Sequence, residues 1–152
     1  MLSNDPYMLP HIINGDFNND TNGWKISQGE KDSIAVKNYE RLGWAEGRYP
    51  PPPSVSVEGD SCLWMKRSEK GPNVASQTIR KLEPGRLYSF RMFSGDPQNF
   101  TTRTQQALST TIDNVELLPE KCFQHVFANP WHKMPKYGDR QICLNYHVKV
   151  FR

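Results

Sequence analysis

The stretch Gln141-Ile142-Cys143-Leu144-Asn145-Tyr146-His147-Val148-Lys149-Val150-Phe151 decides the fold class. Successive side chains of an extended chain point to opposite faces, so a period of two marks a β-strand. Ile142, Leu144, Tyr146, Val148 and Val150 form one apolar set. Cys143, Asn145, His147, Lys149 and Phe151 form the other, which is mostly polar and is expected to face solvent, with His147 solvated.

The same period recurs upstream. Arg86–Phe93 puts Tyr88, Phe90 and Met92 on one face and follows Leu82-Glu83-Pro84-Gly85, whose Pro-Gly pair suits a type II turn. The spacing predicts Asn73–Arg80 as its antiparallel partner. Ser33–Lys37, Cys62–Arg67, Ser109–Leu117 and Cys122–Phe127 complete about seven short strands, and no run has convincing helical periodicity. Short strands separated by turns predict an all-β antiparallel sandwich. Two irregular segments interrupt it. Tyr39–Pro53 contains Gly43, Gly47 and the run Pro50 to Pro53, and Asn129–Asp139 contains Pro130, Pro135 and Gly138. Proline cannot donate to a central ladder, so both read as long loops, and their aromatic content gives them a functional reading.

Composition narrows the class. The chain has 152 residues, the size of one domain. Its mean hydropathy is −0.73 and no apolar run is long enough for a membrane helix, so membrane insertion is not expected. Hydrophobic residues make up only 36%, yet there are seven Phe, six Tyr and four Trp, a combination that fits large polar loops around an aromatic core. The net charge of +3 comes with no basic cluster, so no nucleic-acid partner is expected. Cys62, Cys122 and Cys143 leave two alternatives: a Cys122–Cys143 bridge with one free thiol, or buried unpaired thiols.

Several motifs, in order, resemble one family. Ile13-Asn14-Gly15-Asp16-Phe17-Asn18 with Asn22-Gly23-Trp24 looks like the start of carbohydrate-binding modules of the galactose-binding-like jelly-roll superfamily, of the cellulose- or xylan-binding type. Ser61-Cys62-Leu63-Trp64-Met65, Val74-Ala75-Ser76-Gln77, Leu82–Phe90 and Thr111-Ile112-Asp113-Asn114-Val115-Glu116-Leu117 resemble the family's later strands. The likeness spans residues 12 to 118 and implies a jelly-roll β-sandwich over 12–152, with 1–11 as an extension. It also implies a structural calcium site, to which Asp16 and Asp113 would contribute. Met1-Leu2-Ser3-Asn4-Asp5-Pro6 lacks the basic start and apolar run of a signal peptide, so the chain is expected to be either cytoplasmic or a processed or recombinant form, and with the resemblance the expected location is extracellular or periplasmic. The family commonly has Glu where this chain has Asn18, and a strand like 111–117 commonly closes such domains. Here residues 119–152 follow it, so either strands are added or a final strand is missing or supplied by another chain.

Sugar binding needs flat aromatics for the pyranose CH face and polar groups for its hydroxyls. Trp24 and Trp64 read as core. Trp44, Tyr49 and Trp131 in the two loops are the ligand candidates, with Arg48 beside them and Gln77 as a polar contact on the cleft floor. A poly- or oligosaccharide is the expected partner, with a flanking catalytic domain or partner chain as a further one. The alternative is a protein-interaction or assembly module on the same fold, motivated by the last strand and the proline run. Catalysis is not expected. Gly-x-Ser-x-Gly, His-Glu-x-x-His and phosphate-cradling glycine motifs are absent, nothing singles out a carboxylate pair, and the His and Cys residues lack zinc-ligand spacing.

Overall fold

The computed structural model describes residues 11–39, 61–133 and 141–152. The described residues are all-β, with antiparallel strand pairs and one turn of 3-10 helix, Pro119–Lys121. The chain divides into two compact units, Met1–Leu82 and Glu83–Arg152.

The first unit contains two strand pairs. β1 (Lys25–Ser27) pairs with β4 (Val74–Ser76), and β2 (Ile34–Asn38) pairs with β3 (Ser61–Met65). Asn73 ties them locally. Its Oδ1 accepts from Gly29 N (2.9 Å) and Ser33 Oγ (2.6 Å), and its Nδ2 donates to Ser33 O (3.2 Å) and Lys66 O (2.7 Å). Ser33 and Ile34 are buried beside it. Gly29 and Gly71 meet back to back, so close that a β-carbon on Gly29 would collide with the Gly71 carbonyl. Trp64 is half-buried, and the Lys37 ammonium sits 3.4 Å over its ring. On the same face, burial pushes the Cys62 thiol pKa up, partly offset by the Lys37 charge.

The second unit is built on the C-terminal strand. β7 (Gln141–Phe151) lies between β5 (Tyr88–Ser94) and β6 (Phe123–Lys133), antiparallel to both. The predicted type II turn forms, with Arg86 N bonding Glu83 O (3.2 Å) and Gly85 at φ 80°. It does not make the predicted hairpin. β4 ends at Ser76, Lys81 takes a left-handed φ of 64°, and β5 pairs with β7 instead.

Two further expectations change. The segment expected as a strand at Ser109–Leu117 pairs with backbone only near its end, where Leu117 bridges Phe151 and Asn114 at φ 60° has broken the extension. Asn129–Asp139, expected as a loop, stays in β6 through Lys133. A register shift between Asn129 and Lys133 accommodates Pro130, on a sheet edge where a missing donor is tolerated. The last strand has partners on both sides at its end: Tyr88 opposite Phe151 on one, and Glu116 and Leu118 bonding Arg152 and Val150 on the other. All three cysteines are free thiols. Cys122 Sγ sits by Val150 N (3.4 Å), seven residues from Cys143 along β7. At ~3.3 Å per residue that is roughly 23 Å, far beyond disulfide reach.

Candidate functional site

Register assigns each side chain of the three-stranded sheet to a face. Phe93, Tyr146 and His125 are directly opposite one another, as are Arg91, Val148 and Phe123. These six therefore share one face. Across it runs an aromatic row. The Phe93 and Tyr146 rings stack with centroids 4.8 Å apart, and Phe123 meets Tyr146 edge-on at 6.0 Å. The row is open to solvent, with Phe93 46% and Phe123 52% exposed. Arg91 and His125 are exposed on the same face and supply polar groups beside the rings. Toward the other end, Phe100 and Leu144 are buried and close around Gly95, where a β-carbon would come within 2.7 Å of Phe100 and 2.8 Å of Leu144.

The opposite face carries a polar network instead. Asn145 is completely buried. Its Nδ2 donates to Thr104 O (2.8 Å), and its Oδ1 accepts from Gln106 N (3.0 Å) and Gln124 Nε2 (2.8 Å). Gln124 Nε2 also reaches Gln106 O (3.1 Å). Ser94 Oγ lies 2.9 Å from Gln106 Oε1 and 2.7 Å from His147 Nε2. Residues 104–106 are thus strapped across the sheet, which is why His147, expected in solvent, is only 3% exposed. Burial, with the nearby Lys149 charge, holds the His147 pKa below the usual histidine value.

The site residues expected from sequence are spread over the chain. Trp44, Arg48 and Tyr49 lie outside the described residues. Trp131 has its backbone in β6, and its side chain is likewise outside them. Gln77 is a tie within the first unit. Its Nε2 donates to Ile13 O (2.9 Å) and Gly23 O (3.0 Å), and its Oε1 accepts from Ile13 N (2.7 Å), which uses both of its donor hydrogens. Asp16 belongs to the first unit and Asp113 to the second. The Asp16 carboxylate accepts from Asn18 N (3.3 Å) and Asn18 Nδ2 (2.9 Å), as a turn-capping Asp does, and Asp113 is exposed. Among the described residues no group of three or more His, Cys, Asp or Glu side chains stands together as a metal site.

The aromatic row lies on strands, whereas the ligand candidates expected from sequence lie in the Gly/Pro-rich segments. Its signal was present: Phe93 and Phe123 are aromatics at strand positions out of phase with their neighbours' core face. No family model matches this chain, and no match is found among curated proteins or solved structures.

Proposed function

We propose that this protein is a non-catalytic carbohydrate-binding module of jelly-roll type, located outside the cytoplasm, that holds a poly- or oligosaccharide on the face of its β5-β7-β6 sheet. The observation that carries the reading is the solvent-open row Phe93–Tyr146–Phe123 with Arg91 and His125 beside it. Sugar rings lie on such a row by their CH faces, while guanidinium and imidazole groups hydrogen-bond the hydroxyls at the rim. By analogy with other ring contacts each aromatic contributes about 1 kcal/mol, so micromolar-to-millimolar affinity is expected once ordering costs are subtracted.

A glycan array probed with the labelled protein tests the reading. Retention on β-linked plant polysaccharides, weakened in the Phe93→Ala variant, supports it, and a blank array overturns it. The same exposed aromatics, with Leu87 also exposed, favour a second reading as a protein-assembly face. Light scattering separates the two: a monomer that binds glycans belongs to the first, and a Phe123-dependent dimer to the second.

A further inference from the structure

On the face away from the aromatic row, the strap at 104–110 leaves an open cleft against β6 and β7. Its broad end, about 560 Å³, is lined by Gln105, Gln106 and Ala107. It shares Leu108, Ser109 and Gln124 with a narrower hollow of about 250 Å³ that reaches Thr110, Cys122, Phe123, His147 and Lys149. The chemistry of the narrow end is specific. Among the described residues Lys149 has no carboxylate within ion-pair distance. The Gln124 nitrogen is occupied by Gln106 O and Asn145 Oδ1, so the group Gln124 offers a ligand is its carbonyl oxygen. Ser109 and Thr110 bring hydroxyls, and the His147 ring is fixed from behind by Ser94.

An ammonium without a carboxylate beside it among the described residues calls for an anion, and an amide oxygen calls for a ligand that carries its own O–H. From this pairing we infer that the cleft is a second binding site, for a small hydroxylated carboxylate, with a hexuronic acid residue as the matching ligand. Its carboxylate meets Lys149, one ring hydroxyl donates to Gln124 Oε1, and others exchange hydrogen bonds with Ser109 and Thr110. A simple carboxylate lacks the hydroxyls and a neutral sugar lacks the charge, so each holds only half of the site. Phe123 borders both the hollow and the aromatic row, whereas Phe93 and Tyr146 line neither part of the cleft, so the two sites can be tested apart through Phe93.

Amide chemical-shift titration of the full chain with glucuronate, glucose and acetate at constant ionic strength tests it. Glucuronate is expected to move the Ser109, Thr110 and Gln124 resonances and to bind about tenfold more tightly than either control. Lys149→Met should remove that advantage, Lys149→Arg should keep it, and Phe93→Ala should leave it unchanged. Glucose or acetate matching glucuronate overturns the proposal, as does an Arg variant that loses as much as the Met variant. So do shifts confined to Arg91, Phe93 and Tyr146. Loss of glucuronate binding with oligosaccharide binding intact would remove this site alone and leave the aromatic face standing.

Discussion

Ser94 Oγ and His147 Nε2 stand 2.7 Å apart across two neighbouring strands, inside a network that also takes in Gln106. Ser94 is directly opposite Asn145 in the ladder and His147 opposite Met92, so the contact is a diagonal one on the covered face. A histidine held there is kept neutral by its surroundings.

That neutrality sets a pH dependence. The folded-state pKa of His147 lies below its ordinary value of 6.5, mainly through burial and secondarily through Lys149. The unfolded chain therefore takes up a proton first as pH falls. The contribution of His147 is fully present above about pH 6.5 and is lost below it, down to the depressed folded pKa. Thermal melts from about pH 8 to about pH 5.5 should show a falling Tm, and His147→Gln should flatten the slope. An identical slope in that variant would assign the effect to other groups.

Asn145 is the anchor of the strap. Replacing it with Ala leaves Gln106 N, Thr104 O and Gln124 Nε2 short of a partner under cover. Urea unfolding of Asn145→Ala should show a loss of about 3 kcal/mol. A loss below about 1 kcal/mol would mean that water replaces the amide freely.

Gly29 and Gly71 face each other yet differ in tolerance. A β-carbon on Gly29 runs into the Gly71 carbonyl, while one on Gly71 finds Gly29 Cα at 3.6 Å. Gly29→Ala should cost about 1–3 kcal/mol by forcing the two backbones apart, and Gly71→Ala should be near neutral. Equal effects from chemical denaturation would contradict the packing described.

Asn14 organises the first loop from a left-handed φ of 51°. Its Nδ2 donates toward the carbonyls of Asn19, Asp20 and Asn22, its Oδ1 accepts from Asn19 N, and its own carbonyl takes the Trp24 indole N–H at 3.0 Å. Trp24 also packs on Phe17, with ring centroids 5.2 Å apart. Asn14→Ala should lower stability by about 1–3 kcal/mol and shift tryptophan emission to the red as Trp24 is uncovered. Unchanged emission would mean that the indole is held by Phe17 alone.

Local chemistry made much of this legible. The period of two in 142–151 marks the strand on which the second unit is built, and Pro84-Gly85 marks a turn that forms with Gly85 at positive φ. Strand pairing was not legible, because it depends on contacts distant in sequence: Ser94 opposite Asn145, or Lys25 opposite Ser76. Nor was the fate of polar residues. Asn145 and His147 alternate as a solvent face would, and only the strap at 104–106, held by Asn145 itself, puts them inside. Gln77 shows the same limit from the other side. A glutamine on a strand suggests a ligand contact, and its donors are committed to Ile13 and Gly23.

Saccharide binding on the Phe93–Tyr146–Phe123 face rests on two rings that can be removed. Both Phe residues are about half exposed, so their removal should leave the fold intact. The most direct measurement is calorimetric titration of wild type and of the Phe93→Ala/Phe123→Ala double variant with soluble cello- and xylo-oligosaccharides, with melting curves alongside. The wild type should bind in the micromolar-to-millimolar range, and the double variant, equally stable, should bind about thirtyfold more weakly, equivalent to the loss of two ring contacts. Equal affinity in the two proteins, or no heat from any oligosaccharide with the wild type, would contradict it.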